Sequence, residues 1–224
     1  MFRRNFLLVL NLFLSLNGFG QLDELKKVQD TRKQYFDVSY KGADYFSKTN
    51  YVNPFIGTGG HGHTYPGATA PFGMIQLSPD TRHTGWDGCS GYHYSDSIIY
   101  GFSHTHLSGT GVSDYGDLLI VPQNGKPRLD PGYENNKGYG DYFIHESEEA
   151  SPGYYKVELI EGRITARLTV SDRVGFHEYT FNNPKGKKFI LLDLDHRDKL
   201  ISATINIVDK NTISGSRISE EWAA

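Results

Sequence analysis

The distribution of apolar residues divides the 224-residue chain into stretches of different character. Near the start, Arg3 and Arg4 precede an apolar run from Phe6 to Leu16, which ends in Asn17, Gly18, Phe19 and Gly20. A basic opening, a short apolar run and small residues at its end predict a secretory signal peptide over residues 1–20. The run is too short for the roughly twenty residues that span a bilayer, so no membrane span is expected. Residues 21–50 are polar, with a helical period at Leu22, Leu25 and Val28. They predict a leader with a turn or two of helix.

The second half of the chain alternates. Tyr155, Val157 and Leu159 are interleaved with Lys156 and Glu158, and beyond Glu161-Gly162 the pattern resumes at Ile164, Ala166, Leu168 and Val170. A period of two on both sides of a glycine turn predicts a β-hairpin. Val174 to Phe181 predicts another strand, and Lys188 to Leu194 a buried one. Ile201 to Val208 and Thr212 to Arg217 flank an Asp209-Lys210-Asn211 turn. Strands at this spacing with no helical period between them predict an all-β domain over residues 51–224, an antiparallel β-sandwich.

Between Tyr51 and Leu118 the pattern thins out. Thirteen of the 25 glycines fall in this stretch, and six of the nine histidines lie between His61 and His106. Apolar residues are sparse and turn residues frequent, which predicts long ordered loops joining short strands at Gly73 to Leu77 and Leu118 to Val121. Glycine costs backbone entropy and fills no volume, so this density implies a surface that something approaches closely.

Composition narrows the function classes. Losing Arg3 and Arg4 with the signal leaves 21 basic against 26 acidic residues, a formal charge of −5. With no clustered basic face, nucleic acid is not an expected partner. Cys89 is the single cysteine, which rules out an internal disulfide; an exported bacterial protein, secreted or periplasmic, that relies on its core is the expectation. Cys89 itself reads as a small buried hydrophobe, with no Lys or Arg close in sequence to lower its pKa. No Gly-X-Ser-X-Gly elbow or phosphate loop is present.

Two His-X-His triplets, His61 with His63 and His104 with His106, each point to one face in extended backbone. Three readings stand for them: hydrogen bonds to backbone or a neighbouring domain, contact with a sugar, or ligation of a transition metal with an oxygen from Asp114, Asp117 or Asp87. Trp86 and Asp87, between Gly85, Gly88 and Gly91 and near Tyr92, His93 and Tyr94, are more informative. A sugar ring has apolar C–H faces and a rim of hydroxyls, and an exposed aromatic beside a carboxylate suits both. The competing reading of Trp86 is a core residue anchoring its loop.

The segments NPFIGTGGHGHTYPGATAPFGMIQLSPD, GWDGCSGYHY and GFSHTHLSGTGVSDYGDL resemble the N-terminal domain of glycoside hydrolase family 92, the calcium-dependent exo-acting α-mannosidases. The resemblance continues through VELIEGRITARLTVSDRVGFHEYTF to the terminal SGSRISEEWA and covers Tyr51 to the end. It implies a β-sandwich packed against a C-terminal (α/α)₆ barrel that is lacking here, with the active site in the cleft between them. It further implies that the catalytic acid, the catalytic base and the calcium ligands lie outside this chain. Trp86 and Asp87 are then the foremost candidates for mannose contact, with His61, His63, His104 and His106 beside them.

Trp222 arrives with no strand after it to bury against, so the chain reads as the front of a longer protein. The intact enzyme would be an inverting, α-1,2-type mannosidase acting on mannose-containing glycans such as N-glycans or mannans; the fragment alone is expected to be inactive. The rival readings are a non-catalytic carbohydrate-binding module and a cupin-like metalloenzyme using His61, His63 and a carboxylate.

Overall fold

The computed structural model describes residues 48–220 and, upstream, the backbone of Leu8–Asn11. Most of the predicted signal peptide and leader, and Trp222, lie outside the described residues. The strands in chain order are β1 (Leu8–Asn11), β2 (Ala68–Thr69), β3 (Gln76–Asp80), β4 (Ile98–Ile99), β5 (Gly101–Ser103), β6 (Leu119–Asn124) and β7 (Asp141–Tyr142). They continue with β8 (Glu149–Ser151), β9 (Tyr154–Leu159), β10 (Ile164–Val170), β11 (Gly175–Phe181), β12 (Lys188–Asp193), β13 (Lys199–Ile207) and β14 (Ile213–Glu220). No helix among the described residues is long and apolar enough to cross a membrane.

Two antiparallel sheets form the body, one ordered β1-β12-β6-β5-β3-β2 and the other β11-β10-β9-β8. The predicted hairpin is β9–β10, which pairs Tyr155 with Leu168, Val157 with Ala166 and Leu159 with Ile164. These six side chains share one face because the register preserves the period of two. All are buried, and they pack on Ala68, Leu77 and Phe102 of the six-stranded sheet. At about 1.5–3 kcal/mol for each large side chain taken from water, this interface is the main source of cohesion.

The opposite face of the larger sheet is also covered, with Leu119, Val121 and Leu191 packed against Tyr100 and Tyr139. Coverage on both faces explains why β12 reads as a near-continuous apolar run. The strand expected at Gly73–Leu77 begins later, at Gln76, because Gly73 N–H turns back to Ala70 C=O (3.0 Å). The hairpin β13–β14 forms a separate two-stranded sheet. With β6 and β12 it encloses an apolar cavity of about 560 Å³ lined by Ile120, Leu192, Leu194, Ile205 and Ile213.

Two polar assemblies, one buried and one half-buried, hold the loops on this frame. The first surrounds Asp80, which has no exposed surface. Its Oδ2 accepts hydrogen bonds from the Ser103 N–H (3.1 Å) and Ser103 Oγ–H (2.5 Å). Its Oδ1 lies 3.5 Å from the Nε2 atoms of His106 and His196 and 4.0 Å from the Arg197 guanidinium. Burial opposes the charged form, yet the two imidazoles outweigh it and hold this carboxyl well below the usual range.

The second assembly is uncharged. His104 Nδ1 lies 2.9 Å from the Leu118 carbonyl, which only accepts, so the proton is on Nδ1 and Nε2 is a bare acceptor. His177 Nε2–H therefore donates to His104 Nε2 (3.1 Å), and His177 Nδ1 accepts from the Tyr179 hydroxyl (2.7 Å). This chain links the end of β5 to β11 and so bridges the two sheets. Burial lowers the proton affinity of both rings, that of His177 to about 3.

Asp80→Ala should destabilise the fold by about 3–5 kcal/mol, the usual cost of leaving buried charged partners uncompensated, read as a shifted urea midpoint. A shift equivalent to under about 0.5 kcal/mol, the range of ordinary surface changes, would rule out this role. His177 generates a pH dependence of definite sign. Below about pH 6.5 the unfolded chain takes up a proton that the folded chain does not, down to about pH 3, so stability should fall with acidification. The slope is up to about 1.4 kcal/mol per pH unit, and His177→Gln should flatten it in unfolding curves measured from pH 7 to 4. An unchanged slope would show that His177 is not buried in the neutral form.

Candidate functional site

The candidate site rests on a loop with almost no apolar anchoring of its own. Trp86–Gly88 is a single 3-10 turn entered through Gly85 at φ 84° and ψ 151°, a conformation that a side chain disfavours. The loop is fastened from below: Arg197 donates to the carbonyls of Gly88 (2.8 Å) and Cys89 (3.1 Å). Gly91 closes it onto Asp80. A Cβ there would fall 2.7 Å from Asp80 Oδ1, 2.9 Å from His106 Cδ2 and 3.1 Å from Arg197 Nη1. The buried charge under Gly91 thus fixes the position of Trp86 and Asp87 at the surface.

Trp86 is an exposed side chain, at 59%, which sets aside its reading as a core residue. His63 meets its ring edge to face at 4.3 Å, and His61 flanks it at 5.2 Å. Gly111 lets the neighbouring loop come close, since a Cβ there would stand 2.9 Å from the indole Nε1. Asp87 Oδ1 lies 2.6 Å from His61 Nδ1 and 3.7 Å from His63 Nε2. The hydrogen bond from His61 holds the Asp87 carboxyl below its ordinary range, so the group is ionised at neutral pH. The result is an exposed indole beside an anionic acceptor that is itself held by an imidazole, from residues distant in sequence.

The four predicted histidines divide. His61 and His63 join Trp86 and Asp87, whereas His106 belongs to the buried assembly around Asp80 and His104 to the half-buried neutral one. His106 Nδ1 donates to the Gln76 carbonyl (2.7 Å), and its Nε2 lies 3.0 Å from Ser103 Oγ. Cys89 is buried, as expected, and burial raises its pKa. Asp117 pairs with Arg217 and accepts from Thr105 Oγ (3.0 Å). Among the described residues, no group of three or more His, Cys, Asp and Glu side chains could hold a metal ion.

Asp80, His196 and Arg197 organise the site and were not singled out by sequence reasoning. The signal for His196 and Arg197 is the run Asp193-Leu-Asp-His-Arg-Asp198, a burst of charge at the end of a buried strand, and Asp80 has no comparable signal.

The profile of the glycosyl hydrolase family 92 N-terminal domain matches residues 51–224. An uncharacterized secreted glycosidase of Arthroderma benhamiae is 33% identical over 171 residues, which is 73% of this chain and 22% of that protein. A family GH92 α-mannosidase from Bacteroides thetaiotaomicron, solved in complex with mannoimidazole, is 40% identical with a TM-score of 0.71, over 75% of this chain and 23% of that one. A family GH92 inverting mannosidase from Bacteroides thetaiotaomicron VPI-5482 is 27% identical with a TM-score of 0.66, over 80% of this chain and 24% of that one. This chain therefore spans under a quarter of the length of these relatives. In its sheet architecture and over residues 51–224, the chain belongs to glycosyl hydrolase family 92, corresponding to the N-terminal domain.

Proposed function

We propose that this chain forms the sugar-facing N-terminal part of a secreted, exo-acting α-mannosidase that removes terminal α-linked mannose, of the α-1,2 type, from N-glycans or mannans. The observation that carries the reading is Trp86, an exposed indole flanked by the ionised Asp87 and by His61. Its ring accepts the C–H face of a pyranose, and Asp87 accepts hydrogen bonds from sugar hydroxyls. His61 and His63 orient that carboxylate. His104 and His106 act at one remove, by holding the loops in place.

The two solved relatives are named as mannosidases, and the Arthroderma relative as a secreted glycosidase, which supports the substrate class and the export. Inversion calls for a carboxylic acid that protonates the leaving oxygen and a carboxylate that activates water, about 6.5–9.5 Å apart. This reading assigns that pair, and the ligands of calcium, to a C-terminal catalytic domain outside these 224 residues. Among the described residues, no group of three or more His, Cys, Asp and Glu side chains is placed to hold that ion.

The chain on its own should release no mannose from α-mannosides, with or without calcium, while binding methyl α-mannoside weakly in protein-observed NMR. Turnover by the pure chain would overturn the division of labour. Trp86→Ala should weaken that binding by about tenfold, the loss of one good aromatic contact, with near-ultraviolet circular dichroism confirming the fold. Wild-type affinity in the variant would remove Trp86 from the sugar site. Asp87→Asn should also weaken binding, and its effect should persist at pH 5, where an aspartate held at or below its ordinary range stays charged.

A further inference from the structure

A second hollow, of about 360 Å³, is lined in part by Thr58 and Gly59, at the start of the glycine loop that carries His61. Asn53, Phe55, Ile56 and Thr58 form one wall, and Tyr94 and His145 form the other. Tyr94 is half exposed, stacks on His145 at 4.1 Å and 14°, and meets Phe55 edge to face at 6.2 Å. The walls are fastened together: Tyr94 N–H donates to the Thr58 carbonyl (2.8 Å), and His93 Nε2 lies 3.2 Å from the Gly60 carbonyl. The hollow is preformed.

Its polar groups are oriented from behind. The Glu148 side chain is 1% exposed and accepts from Tyr92 OH (3.0 Å) and Tyr155 OH (2.6 Å). The same carboxylate lies 2.6 Å from His145 Nδ1. His145 Nδ1–H donates to the carboxylate, which fixes the ring and leaves Nε2 to meet a ligand. Asn53 uses Oδ1 on the Phe55 N–H (3.0 Å), and its Nδ2 has no hydrogen-bond partner among the described residues. No Lys or Arg lines the hollow, and the one carboxylate behind it is taken up by its donors. An anion has no counter-charge here, and a purely apolar ligand would strand these polar atoms; aromatic faces beside oriented hydrogen-bonding groups match a neutral polyol ring.

We infer that this hollow is a second saccharide subsite, which holds a pyranose unit of an extended glycan while the terminal unit lies on Trp86. The inference rests on the sugar-binding reading of Trp86 for its substrate class, and on separate residues for its geometry. Thr58 and His61 are three residues apart, at most about 11 Å of extended chain, so one oligosaccharide reaches both. Phe55, Tyr94 and Ile56 present apolar surface to the ring, and His145 and Asn53 hydrogen-bond its hydroxyls.

The test is a protein-observed NMR titration of the 224-residue chain with methyl α-mannoside and with α-linked mannotriose. The trisaccharide should bind about tenfold more tightly and should shift the resonances of Tyr94 and His145, which the monosaccharide leaves in place. Tyr94→Ala should abolish that gain without weakening methyl α-mannoside, and Tyr94→Phe should retain it. Gly59 is not held at positive φ, and a Cβ there would lie 3.6 Å from Tyr94 Cβ, so Gly59→Leu fills the hollow and should have the same effect as Tyr94→Ala. Wild-type trisaccharide affinity in both Tyr94→Ala and Gly59→Leu, or unshifted Tyr94 and His145 resonances, overturns the subsite. Loss of trisaccharide binding in Tyr94→Ala together with unchanged monosaccharide binding in Trp86→Ala would uphold the subsite and refute the role of Trp86.

Discussion

An ionised carboxylate sealed from water is the constraint on which the upper loops depend. Asp80 stands at the end of β3, and satisfying its charge draws in Ser103 from β5, His106 beyond it, and His196 and Arg197 after β12. Each of these groups then serves another part of the molecule. His106 reaches the Gln76 carbonyl, His196 lies 2.7 Å from the Tyr133 hydroxyl, and Arg197 supports the carbonyls below Trp86. A loop so poor in apolar residues has little hydrophobic reason to adopt one shape. Electrostatic necessity at its base supplies that reason.

The two polar assemblies solve different problems by different physics. Around Asp80 a charge is retained and compensated, which specifies position sharply and leaves little tolerance for missing partners. In the Tyr179, His177 and His104 chain every proton has a defined donor and acceptor, and the whole remains neutral. A neutral chain bridges the two sheets without the desolvation cost of an ion pair. Its weakness is acid, since an added proton has nowhere to hydrogen-bond.

The sandwich core was legible because burial on one face leaves a period of two, and the alternation from Tyr155 to Leu168 records it on both sides of the Glu161-Gly162 turn. β12 was legible instead as a continuous apolar run, and β13 and β14 through the turn residues Asp209-Lys210-Asn211 between them. β2, β4, β5, β7 and β8, with two or three residues each, are too short to show a period, and their pairing is decided by distant partners. Within the site, Trp86 and Asp87 stood out because glycines on both sides free them from packing. His104 and His106 carry the same local signature as His61 and His63, and only the sheet positions of Ser103 and Gln76 turn them inward. Glu148 and His145 left no local mark, because the two tyrosines that complete their arrangement, Tyr92 and Tyr155, come from other elements.

Gly91 carries a consequence for inheritance. The space that a methyl group would need is already filled by Asp80, His106 and Arg197, three residues contributed by distant stretches of the chain. A side chain at Gly91 would collide with the other three, and loss of Asp80 would remove the charge that His106 and Arg197 face. They therefore form one heritable unit, able to drift only by coordinated change, although none of them touches the surface they shape. In a saturation mutagenesis screen these four positions would stand out as intolerant as a group, and a map of exposure alone would give no hint of the reason.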